Sequence, residues 1–304
     1  MNLENLNRRI KTTSDLSEIV STMKMLSSVN VGQFEKALKS LTQYGQTIRD
    51  AFHGLFTQES FHYDAPEIPK GKPNVLAIII GSDNGLVGKF NRELMDFATT
   101  YLEEKFSNIH LLTVGKRIAL LSNNQNLKIA ASFPSPNSVK EIAPMAAQLL
   151  NQINDIASHN KIDFVYLLAN RKQGNTSFIP QARQIIPLPD ANLKQLTCTK
   201  WNGRTLPLIT ADKKELFHAL IQEYLIVVIS HDLAASLASE HYTRMIHMQE
   251  AEKNIEKSLD EFHLEYQQLR QTQITDELID IISGAEEMNK QKNQSSLDIS
   301  EKKK

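Results

Sequence analysis

Proline is confined to the middle of this chain, and that confinement limits the folds it can adopt. All ten prolines lie between Pro66 and Pro207, so residues 1–65 and 208–304 contain none. Because proline removes a backbone donor and clashes with the preceding helical turn, only the two ends are free to form long uninterrupted helices. The sequence therefore predicts a long helix, a compact domain and a second long helix.

Both ends carry the apolar spacing of paired helices. Apolar residues near the start mostly keep to alternating steps of three and four, at Leu3, Leu6, Ile10, Val20, Phe34, Leu38, Leu41, Ile48, Phe52 and Leu55. The same steps recur near the end, at Met245, Met248, Ile255, Leu259, Phe262, Tyr266 and Leu269. This spacing holds one face of a helix toward a partner. Since the domain between them must return the chain, an antiparallel two-helix coiled coil is predicted.

The middle of the chain alternates between strand and helix patterns. Apolar runs at Val75–Ile80, Ile109–Val114, Leu127–Ala131 and Phe164–Leu168 are typical of buried parallel strands. Helical stretches separate them, notably at 90–106 and 139–157. The fold class predicted is α/β, with a mainly parallel sheet between the two coiled-coil helices.

Four parts follow from these patterns. They are an N-terminal coiled-coil helix at 1–57, a central α/β domain at 73–207, a C-terminal coiled-coil helix at 208–288, and a disordered polar tail at 289–304. Segment 170–207 holds four of the prolines and is expected to form a final strand, an edge ribbon and a returning loop.

Composition excludes several classes of protein. A net charge of -1 over 304 residues provides no overall basic field for nucleic acid. No apolar run approaches the roughly 20 residues of a membrane span, so no transmembrane segment of its own is expected. The start lacks the apolar block of a secretory signal, and the single Cys198 offers no internal disulfide, which makes the cytoplasm the default location.

A glycine-rich turn after the first strand raises the question of a nucleotide site. The turn, Gly81-Ser-Asp-Asn-Gly-Leu-Val-Gly-Lys-Phe90, has three glycines and a lysine. Its spacing does not match a phosphate-binding loop, because Asp83 and Phe90 stand where that pattern requires other residues, and no Gly-x-Gly pair exists. A structural turn is the favoured interpretation, and a nucleotide-binding enzyme is the weaker alternative.

Other catalytic constellations are weak. His231, His241, His247 and His263 lie on the late helix, but no two are three or four residues apart, so none forms a metal-binding pair on one face. Cys198 has only Lys200 as a local activating partner. We expect no catalytic residue, no cofactor and no metal.

Four motifs, in order, resemble those of the gamma subunit of F-type ATP synthases. The late helix contains Ala238-Ser-Glu-His-Tyr-Thr-Arg-Met245, with Met248, Ala251 and Asn254 at the family's spacing. The stretch Arg270-Gln-Thr-Gln-Ile-Thr-Asp-Glu-Leu278 looks like the family's C-terminal segment. Arg8-Arg-Ile-Lys11 with Met23-Lys-Met25, and the glycine turn continuing to Asn91, resemble two further family motifs. The resemblance spans nearly the whole chain.

The resemblance implies a non-catalytic rotor shaft. Its expected partners are the alpha and beta subunits of the catalytic ring, the epsilon subunit and the membrane-embedded c-ring. Its expected location is peripheral, on the cytoplasmic face of the plasma (inner) membrane. Rotation would couple ion translocation to ATP synthesis or hydrolysis, and the coupling ion would be chosen in the membrane ring.

Residue roles follow from the same motif match. The ring-contact residues it implies are Arg8, Arg9, Met23, Lys24, Glu240, Arg244, Arg270, Gln271, Thr275 and Glu277. Met23 is alternatively a seam residue, and Glu240 with Arg244 is alternatively a simple i,i+4 ion pair.

The chain also departs from the family pattern. Glu18 stands where lysine is common, and 28–34 replaces a strongly basic stretch, which thins the basic patch. The departures imply a divergent member, and an alternative F-type ATPase is one complex to which such a member could belong. A coiled-coil adaptor protein remains the alternative function.

Overall fold

The computed structural model describes residues 2–57, 72–124, 127–173, 177–188 and 208–301. Over these residues the chain forms five helices and five strands. In chain order they are α1 (Leu3–Phe56), β1 (Asn74–Ile80), α2 (Phe90–Lys105), β2 (Asn108–Val114), α3 (Lys116–Asn124), β3 (Ile129–Phe133), α4 (Val139–His159), β4 (Phe164–Gln173), β5 (Ser177–Ile186) and α5 (Lys213–Glu301). Cys198 and the returning loop predicted before residue 208 lie outside the described residues.

The central sheet confirms the α/β prediction. Its strand order is β3-β2-β1-β4-β5, and every neighbouring pair is parallel except β4 with β5. The last strand contains Pro180, which an edge strand tolerates because one side of its backbone has no partner. Helical crossovers join the parallel strands, as their geometry requires.

Strand β1 is buried on both faces, which explains its unbroken apolar sequence. Alternate residues from Leu76 to Ile80 pack in one cluster with α4 and the two long helices. The residues between them, from Val75 to Ile79, pack in a second cluster with α2 and α3. The sheet is therefore covered on both sides, and α5 forms part of one cover.

The predicted pairing of α1 with α5 is confirmed. Within the compact unit Lys24–His247, the ring of Phe52 meets that of Phe217 edge to face at 6.0 Å. Phe34 stacks on His241 with ring centroids 5.5 Å apart. Earlier residues of α1 therefore meet later residues of α5, so the two helices are antiparallel.

The same pairing occurs in the second compact unit, which comprises Met1–Met23 and Met248–Lys304. There the guanidinium group of Arg9 lies over the ring of Phe262, 4.9 Å from its centroid. Leu6 is fully buried. The pair is thus held by an apolar contact and a cation–π contact.

Helix α5 extends further than the sequence predicted. It ends at Glu301, beyond the limit of 288 given to the C-terminal coiled-coil helix, and the disorder expected from residue 289 stays a prediction. The segment 289–301 contains neither proline nor glycine, so nothing in its backbone stops the helix.

One 18-residue window of α5, between Lys213 and Ala285, is apolar enough to span a membrane by length and composition. The structure packs 61% of that window inside the chain. Its apolar residues are therefore those of a core helix.

Two glycines provide a matched test of the fold. Gly115 has φ of +110°, and a Cβ there would lie 2.9 Å from the backbone of Gly81 and Ser82, whereas a Cβ on Gly32 of α1 would meet nothing within 4 Å. We expect Gly115→Ala to lower the free energy of unfolding by about 2 kcal/mol or more. Gly32→Ala should raise it by about 0.5–1 kcal/mol, because alanine favours helix. Urea unfolding of the two full-length variants measures both changes in the free energy of unfolding. Equal changes in the two variants would contradict the different surroundings described for Gly115 and Gly32.

Candidate functional site: the glycine turn and the helix that holds it

The glycine turn is closed by its own side chains. The Asn91 side chain accepts a hydrogen bond from the Ser82 backbone N–H at 2.9 Å and donates one to the Ser82 hydroxyl at 2.8 Å. The Ser82 hydroxyl in turn donates to the carbonyl of Asn84 at 2.9 Å. Ser82 and Asn91 are buried. The two residues that begin and end the motif therefore fix its shape.

Asp83 joins the turn to two neighbouring segments. Its Oδ1 accepts hydrogen bonds from the backbone N–H of Lys116 at 2.9 Å and of Ser135 at 3.1 Å. Lys116 is the first residue of α3, so the carboxylate also satisfies a helix N-terminus. A carboxylate occupies this helix start, and this supports the structural interpretation of the turn over a phosphate cradle.

Helix α5 is hydrogen-bonded to the other side of the turn through Arg244. Its Nε donates to the carbonyl of Gly85 at 3.4 Å, and its Nη2 donates to Glu240 Oε1 at 2.6 Å. The side chains of Arg244 and Glu240 are only 5% and 6% exposed. Ser236 lies one helical turn before Glu240, and its hydroxyl donates to the carbonyl of Ile80 at 3.2 Å. The late-helix motif and the glycine-turn motif therefore bind each other.

This burial leaves Glu240 and Arg244 little surface for another protein, and their contact with a partner ring stays a prediction. A side chain that is about 95% covered by its own chain has almost no surface left for another protein. The alternative of an i,i+4 ion pair describes the contact, with the addition that the pair is buried and bonded to the turn. A match of residue types could not reveal which way the side chains face.

Gly88 is required by the close approach of α5. It has φ of +55°, and a Cβ on it would lie 2.3 Å from Nε2 of His247. Any larger residue would push against the histidine ring while holding an unfavourable backbone conformation. The glycine thus lets α5 pass directly over the turn.

Burial controls the charges of this region. Burial raises the pKa of the Glu240 carboxyl, the Arg244 charge opposes that rise, and Asp83 adds to it. For His241, burial and then the Arg244 charge lower the pKa from 6.5 to about 4. Its ring lies 3.2 Å from Arg244 Nη1 and stacks on Phe34 of α1. At neutral pH His241 is therefore an uncharged link between the two helices.

A second buried ionic cluster fixes α5 to the sheet. Asp232 of α5 has a fully buried side chain. Its Oδ1 accepts from Arg171 of β4, and from Arg183 of β5 at 3.3 Å. His231 Nδ1 lies 3.5 Å from the same oxygen. The sequence prediction missed this cluster, although one carboxylate inside the apolar stretch 225–237 was an available signal.

The remaining predicted contact residues of α5 lie together on an exposed part of the helix. Arg270, Gln271, Thr275 and Glu277 are all exposed. Their recorded hydrogen bonds are local, as in Gln273 Nε2 donating to Glu277 Oε1 at 3.1 Å. Large apolar side chains share this exposed stretch, with 48–67% of their surface accessible, at Ile274, Leu278, Ile279, Ile281 and Ile282.

The predicted residues of α1 differ among themselves. Arg8 is exposed and pairs with Glu4 at 3.7 Å, and Arg9 lies over Phe262. Met23 and Lys24 are each half-buried. Within the described part of the chain, no group of three or more His, Cys, Asp or Glu residues is placed to hold a metal ion.

Comparisons with known proteins agree along most of the chain. The family model described as ATP synthase matches residues 2–288. The ATP synthase gamma chain of Geobacter metallireducens is 27% identical over 291 residues, covering 93% of this chain and 98% of that protein. The gamma chain of Staphylococcus aureus strain JH9 is 26% identical over 290 residues, with coverages of 93% and 98%.

Solved structures show the same fold. A chain of the Euglena gracilis mitochondrial ATP synthase, in its OSCP/F1/c-ring structure, has a TM-score of 0.62 at 18% identity, covering 94% of each chain. A chain of the Euglena rotor gives 0.60 at 14% identity, covering 90% of this chain and 98% of that chain. A chain of the Tetrahymena thermophila central stalk and c-ring gives 0.52 at 19% identity, with coverages of 77% and 99%.

The lowered pKa of His241 gives a test of this site. Between pH 6.5 and about 4 the unfolded chain binds a proton at this residue that the folded chain does not, so stability falls as the pH falls. At pH 4.5 the loss relative to pH 7 should be about 2–3 kcal/mol. Unfolding by urea at both pH values should show that His241→Gln reduces the pH dependence by this amount.

The control for this test is His263→Gln, because His263 is exposed on the same helix. The raised pKa of Glu240 acts in the opposite direction, since protonating it favours the folded state, but it is present in all three proteins. An unchanged pH dependence in His241→Gln would show that the histidine is not buried as described.

Proposed function

The chain belongs to the ATP synthase family, and we propose that it is the gamma subunit, the central rotor shaft of an F-type ATP synthase or ATPase. It couples ion translocation through the membrane ring to ATP synthesis or hydrolysis at the catalytic ring. The observation that carries the proposal is the exposed stretch of α5 that follows Leu269. A helix of 89 residues whose later part displays large apolar side chains is built to be enclosed by other subunits.

The shaft acts through asymmetry. Helix α1 has 54 residues and α5 has 89, so α1 is too short to pair with all of α5. The shaft is therefore a helix pair over one part and a single helix over another, and the two parts present different surfaces. Three otherwise equivalent catalytic sites around such a shaft make different contacts with it. Rotation then changes which contacts each site makes, and the difference in contact free energy shifts each site between conformations.

The partners follow from this role. They are the alpha and beta subunits of the catalytic ring, the epsilon subunit and the c-ring, and the complex lies on the cytoplasmic face of the plasma membrane. The subunit itself is non-catalytic. The engagement of Asp83, Glu240, His241 and Arg244 with groups of their own chain supports that assignment.

The ring contacts are assigned to the accessible members of the motif set. On α5 they are Arg270, Gln271, Thr275 and Glu277, which lie among exposed apolar side chains. On α1 they are Arg8, Arg9, Met23 and Lys24. Apolar contacts would hold the shaft inside the ring, and the hydrogen bonds of the polar groups would depend on its rotational angle.

Reconstitution tests the proposed function. The full-length chain, mixed with the alpha and beta subunits from the same organism, should form a stable complex that hydrolyses ATP. A bead attached to the chain should then rotate in one direction during hydrolysis. A stable complex with other proteins and none with these subunits would indicate an adaptor instead. A chain that purifies alone with a bound nucleotide would indicate an enzyme.

Arg270→Lys tests one ring contact. Lysine keeps the charge but loses the planar fork that binds two acceptors at once. In the reconstituted complex we expect the ratio of ion pumping to ATP hydrolysis to fall about two- to tenfold, the range of a weakened charged hydrogen bond. The melting temperature of the chain should not change, because Arg270 is exposed.

Arg92→Lys is the matched control, since Arg92 is an exposed arginine on α2. It should leave the ratio of pumping to hydrolysis unchanged. Normal pumping by Arg270→Lys would contradict the role given to Arg270.

A further inference from the structure

A small cavity lies within the unit Lys24–His247, where α1, β5 and α5 meet. Its volume is about 120 Å³. The basic side chains that line it come from three elements: Arg49 from α1, Arg183 from β5 and His231 from α5. Of the described residues that line it, none carries a carboxylate.

The positive charge around this cavity exceeds the nearby negative charge. Among the residues that the structure describes, Asp232 is the one carboxylate bonded to this group, and its Oδ1 is shared by Arg171, Arg183 and His231. The single negative charge of Asp232 therefore faces the two guanidinium groups of Arg171 and Arg183. Arg49 adds a third positive charge near the cavity. Bringing like charges together in a partly buried place destabilises the fold unless an anion offsets them.

Arg49 adds a further charge, and none of the described carboxylates pairs with it. Its Nε and Nη2 donate to the amide oxygen Oε1 of Gln46 at 3.1 and 2.8 Å, and that acceptor is neutral. Its Nη1 lies near Gly45, 3.6 Å from where a Cβ would stand. The glycine leaves room beside the guanidinium group, on the side of the cavity.

We propose that this cavity binds one tetrahedral oxyanion of the inorganic phosphate class. Guanidinium groups match such oxyanions because each can donate two parallel hydrogen bonds to neighbouring oxygens. The volume is well below the roughly 300 Å³ at which pockets for larger organic ligands begin, which excludes a whole nucleotide. The bound anion bridges α1, β5 and α5 and fastens the helix pair to the edge of the sheet.

Thermal unfolding of the full-length chain tests the site, with inorganic phosphate as the probe. Phosphate and sulfate are compared with chloride at equal ionic strength. At about ten times its dissociation constant, phosphate should raise the melting temperature by about 2–4 °C. Isothermal titration should give close to one phosphate per chain. An equal effect of chloride, or no phosphate effect on the wild-type chain, would overturn the proposal.

Arg49→Gln separates this site from general charge screening. It removes a lining charge without touching the Asp232 cluster, so the chain keeps its recorded buried ion pairs. The phosphate-induced shift should disappear in Arg49→Gln and persist in Arg92→Gln, whose exposed arginine lies on α2. The quantity compared is the change in melting temperature that phosphate causes within each variant, so a change in the stability of the variant without phosphate does not affect the comparison. A full shift in Arg49→Gln would rule out this cavity as the binding site.

Discussion

The buried contact of Asp232 with Arg171 and Arg183 fixes how α5 lies on the sheet. A charge without exposure to water must keep its partners, because removing one partner from such a pair costs about 3–5 kcal/mol. Sliding or turning α5 by one residue would separate the carboxylate from both arginines. Apolar packing alone would allow such a shift at lower cost, since neighbouring apolar side chains can replace one another. The ionic cluster therefore sets the register, and the apolar clusters supply the bulk of the burial.

The glycine turn depends on that register. Ser236, Glu240 and Arg244 lie on successive turns of one face of α5. Ser236 reaches the end of β1, and Arg244, held by Glu240, reaches the turn after it, only when the helix is correctly placed. Glycine at position 88 then permits the approach of His247. The late-helix motif and the glycine-turn motif, which are distant in sequence, thus form one continuous contact in the folded chain. Their chemistry is that of a joint between a helix and a sheet, which is what a torque-bearing part requires.

The sequence predicted the elements well because their boundaries are chemically abrupt. The apolar runs of β1 and β2 each lie between an asparagine and a glycine, and β1, β2 and α2 lie within one residue of their predicted limits. The sequence patterns did not predict the direction in which polar side chains point. Glu240 and Arg244 face inward because Gly85 offers a carbonyl there, a tertiary fact that no local pattern contains. Asp232 was missed for the same reason, since its partners Arg171 and Arg183 lie 61 and 49 residues away in the sequence. The antiparallel β5 depends likewise on pairing between strands.

Helix α5 contributes to the sheet domain's core and continues without a break to Glu301. Where its side chains are packed, neighbours resist any change of its helical winding. In the exposed stretch that includes Ile274 and Ile281, resistance comes mainly from the backbone hydrogen bonds of the helix itself. Elastic deformation therefore concentrates there, as it does in the thinnest section of a loaded rod. Until other subunits enclose that stretch, we expect a torque on the chain to twist it before it twists the packed part of the helix.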